Sequence, residues 1–153
     1  MNLPKSFLAR SISHRALHNS DEGRAENSMK SVMAAIEHGY GIEIDLQLSK
    51  DGQAMVFHDY DVGRLTAVRG PSAQRTAAEL SDIKLLNDGD GIPTLTDVLK
   101  VVAGRVPLLI ELKDQDGAMG PKVGKLETAT ADALESYKGN VALMSFNPHS
   151  VAK

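Results

Sequence analysis

The sequence predicts an α/β fold built on a parallel sheet. Short extended runs alternate with segments of helical periodicity along the 153 residues, the pattern of strands joined by crossover helices. One run, GIEIDLQLS at 41–49, alternates strictly and reads as a strand. Two helical segments end in a glycine, at Gly39 and Gly104, the residue that stops a helix most readily. An open doubly wound sheet and a barrel both fit this order.

The elements follow in turn. FLARSIS (7–13) predicts a short first strand ending at His14, and 14–25 a polar loop. A helix starts at Asn27 or Ser28, either of which can cap it. It runs to about His38, with Met29, Val32, Met33 and Ile36 on one face. After strand 41–49, Lys50-Asp51-Gly52 is a tight turn into a second extended run at 53–58. Residues 59–93 read as irregular, with one helical piece at 76–80. Thr94 or Thr96 opens a helix through Leu95, Val98, Leu99 and Val102. A buried strand at 106–113, a long helix over 122–137 and a last strand at 140–146 complete the order.

Apolar residues make up 42% and charged residues 24%, the mix of a soluble globular protein. A net charge of -3 gives no reason to expect a nucleic-acid partner. The chain has no cysteine, which excludes thiolate chemistry and disulfides. No stretch is long enough to span a bilayer, and no signal-peptide core follows Lys5. The expected location is cytoplasmic, or periplasmic if a signal has been removed.

The chemistry concentrates in two strands. Glu43 and Asp45 are two apart, so both side chains leave the same face. Glu111 and Lys113 repeat this spacing at the end of the apolar run 106–113. One such acid would ordinarily be a solvated strand-end charge. Two strands doing the same at their C-terminal ends, where α/β proteins place their sites, point to a hard-oxygen site for Mg²⁺ or Ca²⁺. His14 and His58 fall at matching strand ends and suit acid–base work near neutral pH. Arg15 beside His14 and Lys113 beside Glu111 suit a phosphate group. His18, His38 and His149 have no such setting. No G-x-S-x-G elbow, no Walker-type phosphate loop and no zinc-type histidine spacing occurs.

These residues, in this order, resemble the glycerophosphodiester phosphodiesterase family. The family's segments read here as His14-Arg15-Ala16, Glu26-Asn27-Ser28, Glu43-Ile44-Asp45, Lys50-Asp51-Gly52, His58-Asp59, Ile92-Pro93-Thr94-Leu95 and Glu111-Leu112-Lys113, with Ser145-Phe146 near the end. The resemblance implies a TIM (β/α)8 barrel of the phospholipase C-like phosphodiesterase type, with about its first four βα units here. Residues 1–153 would be the N-terminal part of one barrel domain. It implies hydrolysis of a small glycerophosphodiester to glycerol 3-phosphate and an alcohol. Glu43, Asp45 and Glu111 would hold one divalent cation, Mg²⁺ or Ca²⁺. His14 and His58 would be the acid–base pair, Arg15 and Lys113 would hold phosphate, and Glu26 and Asn27 would support the site.

Three features depart from the family's pattern. Ala16 stands where the family has glycine, so the loop after His14 is expected to shift slightly. The stretch after His58-Asp59 matches only loosely, through Arg64, Thr66 and Gly70. The length falls short of the roughly 250 residues of a complete barrel, so the chain alone is expected to be inactive. Two rival readings follow: a phospholipase D-like or sphingomyelinase D-like lipid phosphodiesterase, and a non-catalytic half-barrel that assembles as a homo-oligomer through its open sheet edges.

Overall fold

The computed structural model describes residues 3–153. One sheet holds β1 (Ile12–Ser13), β2 (Gly41–Leu48), β3 (Ala54–Val56), β4 (Leu108–Leu112) and β5 (Val141–Met144). Four strands run parallel in the order β1-β2-β4-β5, and β3 folds back antiparallel on the end of β2. Thus β2 is flanked by β1 and β4, and its register against β4 runs from Ile42↔Leu108 to Leu46↔Leu112. The turn after Leu48 reverses the chain through Gly52 at φ 82°, a left-handed conformation that glycine adopts without steric cost.

The helices are α1 (Met29–Glu37), α2 (Ala77–Asp82), α3 (Leu95–Val102), α4 (Lys125–Leu134) and α5 (Pro148–Val151). Ser28, not Asn27, caps α1 by accepting from the Ser31 amide, and Thr94, not Thr96, caps α3 by accepting from Asp97. Each cap satisfies an amide that the first turn leaves without a partner.

The placement of the helices decides between the two sheet architectures. Ile42, Ile44 and Leu46 of β2 and Leu108, Ile110 and Leu112 of β4 share one core with Val32 and Ala35 of α1, Leu95, Val98, Leu99 and Val102 of α3, and Leu126 of α4. By strand alternation these β residues share one face, so α1, α3 and α4 all pack on that face. A doubly wound sheet needs helices on both faces; helices on one face are the barrel arrangement. Each large aliphatic side chain so buried contributes about 1.5–3 kcal/mol, and that packing leaves the opposite face free for polar groups.

Three expectations are corrected. The first strand is two residues rather than seven, because Lys5–Phe7 forms a 3-10 turn that buries Phe7 and only Ile12 and Ser13 reach β2. The long helix is Lys125–Leu134: Pro121 lacks an amide to donate and Gly124 sits at φ 133°, outside helical backbone. Residues 59–93 hold two 3-10 turns as well as α2. They also build a second core of Met55, Phe57, Val62, Leu80, Leu85 and Ile92. Gly91 belongs to this region, and a Cβ there would lie 1.7 Å from the Ser81 carbonyl oxygen.

Candidate active site

The face opposite the helices carries the acids. Asp45 and Glu111 are register partners, and Glu43 lies two residues before Asp45. Ligand oxygens of Glu43, Asp45 and Glu111 come within 4.8 Å of one another. All three residues are buried, Asp45 to 1% exposure. Strand alternation foretold a shared face; it did not foretell that both faces of β2 are buried.

Buried carboxylates need compensation, since the penalty for an unpaired one is several kcal/mol. Asp45 has most of it. Its Oδ2 accepts from Asn27 Nδ2 at 2.8 Å and its amide donates to Asn27 Oδ1 at 3.2 Å. Lys113 Nζ stands 2.8 Å from Asp45 Oδ1 and 2.6 Å from Glu111 Oε1. Burial pulls the Lys113 pKa down, but its bonds to Asp45 and Glu111 outweigh that and hold it above the ordinary lysine range.

Glu43 is different. It accepts the Arg15 amide at 2.7 Å but makes no ion pair among the described residues. Burial pushes its carboxyl pKa up; the Arg15 amide opposes this, and the charge of Asp45 adds to it. Asp45 Oδ1 has Lys113 Nζ at 2.8 Å as an ion-pair partner, but among the described residues no donor reaches it with hydrogen-bond geometry. A buried acid without a counter-ion among the described residues and a carboxylate oxygen held by an ion pair alone, both within 4.8 Å reach of a third carboxylate, fit a divalent cation with oxygen ligands.

The two basic loops are set by backbone geometry. Arg15, Ala16 and Asn27 adopt φ of 54°, 61° and 57°, which costs a residue with a Cβ roughly 1–2 kcal/mol. The loop is pinned nonetheless: the Ala16 amide donates to the Glu43 carbonyl at 2.9 Å, and the Asn27 amide to the Arg15 carbonyl at 3.0 Å. Ala16 therefore takes the left-handed backbone that a glycine would. Arg15 Nη1 lies 3.1 Å from Glu26 Oε1 and its Nε 3.7 Å from Asp45 Oδ2.

The histidines occupy different settings. His14 is exposed at the end of β1, close enough to Glu43 for its charge to lower that carboxyl's pKa. His58 is half-buried after β3, with Nδ1 2.6 Å from Asp59 Oδ1. Its backbone carbonyl accepts from Gln47 Nε2 at 2.9 Å, and Gln47 Oε1 accepts from Gln115 Nε2 at 3.2 Å.

Every residue expected from the sequence thus lies on or beside this face. Gln47 joins these contacts without being expected there, its place two residues after Asp45 being the available signal. Gln115 and Arg64 carried no signal of local periodicity. Chemically, the arrangement offers a cluster of three carboxylates with the oxygen chemistry a divalent cation requires, two basic side chains beside it and two imidazoles.

A family model described as the glycerophosphoryl diester phosphodiesterase family matches residues 14–153. A glycerophosphodiester phosphodiesterase of Caldanaerobacter subterraneus is 30% identical over 152 residues, covering 92% of this chain and 59% of that protein. A putative glycerophosphodiester phosphodiesterase of Bacillus subtilis is 35% identical over 119 residues, 71% of this chain and 49% of its own. Among solved structures, an Oleispira antarctica phosphodiesterase in complex with its product sn-glycerol-3-phosphate superposes with a TM-score of 0.84 at 26% identity, covering 99% of this chain and 63% of that one. The chain therefore spans about half to two-thirds of the length of the proteins it matches.

Proposed function

The chain belongs to the glycerophosphoryl diester phosphodiesterase family, and we propose that it supplies the cation-binding and acid–base part of a metal-dependent phosphodiesterase site. The substrate would be a small glycerophosphodiester, cleaved to glycerol 3-phosphate and an alcohol. The observation that carries this reading is the meeting of Glu43, Asp45 and Glu111 on one buried face with Lys113 between two of them. The product bound to the Oleispira relative supports the substrate class.

Glu43, Asp45 and Glu111 would hold the cation, Mg²⁺ or Ca²⁺, which when bound supplies Lewis-acid polarisation of a phosphate oxygen. Arg15 and Lys113 bind and orient the phosphate, their charge offsetting that of the substrate. Of His14 and His58, one takes the proton from the attacking oxygen and the other gives one to the leaving alkoxide. With Asp59 ionised, its oxygen can only accept, so the proton of neutral His58 sits on Nδ1 and Nε2 is left to take or give the moving one. Glu26 and Asn27 keep Arg15 and Asp45 in place.

The test is release of glycerol 3-phosphate from a glycerophosphodiester by a complete barrel carrying this sequence. Turnover that needs a divalent cation and falls in H14A and H58A supports the reading. Turnover untouched by both substitutions contradicts it.

A second reading, an assembly module, has one observation in its favour. Among the described residues no strand pairs with the outer side of β5, and Leu143, Phe146 and Val151 around it are 53%, 72% and 66% exposed. Open edges of this kind invite pairing. Sedimentation of the chain as a dimer lacking cation affinity would favour this second reading over the first.

A further inference from the structure

Arg64 stands between two carboxylates that serve different parts of the site. Its Nε and Nη2 donate to Asp59 at 2.5 and 3.1 Å, and its Nη1 and Nη2 donate to Glu26 at 3.0 and 2.6 Å. Beyond Asp59 lies His58 Nδ1, 2.6 Å from Oδ1. Beyond Glu26 lies Arg15 Nη1, 3.1 Å from Oε1. One guanidinium therefore joins the imidazole of His58 to the guanidinium of Arg15, through charge-assisted contacts at every step.

This is not the usual state of a surface arginine. Arg64 ends a 3-10 turn, Val62–Arg64, and its side chain is 47% exposed. Single ion pairs in that setting are worth little and are not held in one geometry. Two forked contacts on two carboxylates hold it instead, and the planar donor set of arginine makes both possible where lysine could make only one well. The carboxylates feel it: burial pushes both the Glu26 and the Asp59 carboxyl up, and the bonds and charge of Arg64 outweigh that and hold both below the ordinary range.

We propose that Arg64 is a positioning residue that fixes the tautomer and orientation of His58 through Asp59 and the reach of Arg15 through Glu26. The inference rests on the reading of His58 and Arg15 as acid–base and phosphate-holding groups. Free imidazole prefers its proton on Nε2; an Asp59 held rigid and ionised reverses that and leaves Nε2 as the working atom. Without Arg64, Asp59 and Glu26 turn to water, and both ends of the network lose their fixed partner.

The experiment is ¹⁵N NMR of the histidine-labelled chain in wild type, R64Q, R64K and D59N, reading the Nδ1–H to Nε2–H ratio of neutral His58. Wild type should hold its proton mainly on Nδ1. In R64Q the ratio should fall about fivefold, the change expected when one hydrogen bond of ordinary net strength is loosened. R64K should fall between the two, and D59N should lose the Nδ1 preference. If R64Q unfolds, R64K decides. A wild-type ratio in R64Q, or in R64K where R64Q unfolds, overturns the proposal, and so does a D59N chain that keeps the Nδ1 proton. Neither result needs turnover: an active H58A barrel would remove the catalytic reading and leave this coupling standing, while an unchanged ratio would remove the coupling alone.

Discussion

Asn27 and Asp45 clamp each other: the Asn27 amide group donates to Asp45 Oδ2 at 2.8 Å, and the Asp45 backbone amide donates to Asn27 Oδ1 at 3.2 Å. The pair ties the residue before the α1 cap to the middle of β2, and it holds an acid that is 1% exposed. Asn27 adopts φ 57° to do so, a conformation asparagine tolerates better than most residues.

N27A should therefore lose about 2–4 kcal/mol, from an unsatisfied buried oxygen and from alanine forced into left-handed backbone. N27G keeps the first penalty but escapes the second, since glycine adopts that backbone freely, and should lose less. Urea denaturation of the three chains checks this; equal stability of N27A and wild type would contradict it.

Glu43 gives a pH signature. Its folded pKa is raised by burial, the Arg15 amide opposing and Asp45 adding. In the cation-free chain the folded state thus holds this proton more tightly than the unfolded state. The stability from Glu43 is full below the ordinary carboxylate range and is lost as pH rises through the raised folded value. E43Q should melt higher than wild type at pH 7 without cation, and should gain nothing when Ca²⁺ or Mg²⁺ is added. Thermal melts at pH 4 and pH 7 read both effects.

Glu26 and Asp59 run the opposite way. Burial raises both, but Arg64 holds both below the ordinary range. Their stability is present above the unfolded carboxylate range and is lost as pH falls through the lowered folded values. R64Q should remove most of that dependence, so its melting temperature should fall less than wild type's between pH 5 and pH 3. Arg64 is about half exposed, so salt should weaken the effect.

His14 and His58 are assigned to proton transfer, a contribution of about 10²–10⁴-fold each. H14A and H58A in a complete barrel should lose turnover on that scale with substrate affinity little changed. Steady-state kinetics on a glycerophosphodiester separate the two quantities, and a loss confined to KM would contradict the assignment.

The parts of the molecule legible in sequence were those governed by local periodicity. The alternation of Ile42, Ile44 and Leu46 with Glu43, Asp45 and Gln47 gave β2, its two faces and the acid pair, and Glu111-Leu112-Lys113 gave the matching end of β4. The first strand is shorter than its sequence suggests: Phe7, Leu8 and Ile12 read as extended, while Phe7 is buried by a 3-10 turn. Long-range contacts left no local trace. Asp88 accepts the Ala25 amide across 63 residues, and Arg64 reaches Glu26 across 38. Nothing near either residue in sequence announces its partner. The family resemblance supplied Glu26 and Asn27 as supporting residues; their contacts with Arg64 and Asp45 come from the fold.

Calorimetric titration of the folded chain with Ca²⁺ and with Mg²⁺, in wild type and in D45N, E43Q and E111Q, tests the central claim most directly. One ion should bind per wild-type chain, and each substitution should weaken binding at least about tenfold, as loss of one charged ligand in a three-carboxylate site requires. A folded wild-type chain that takes up neither ion, or variants that bind as wild type does, would contradict the cation site on which the proposed chemistry depends.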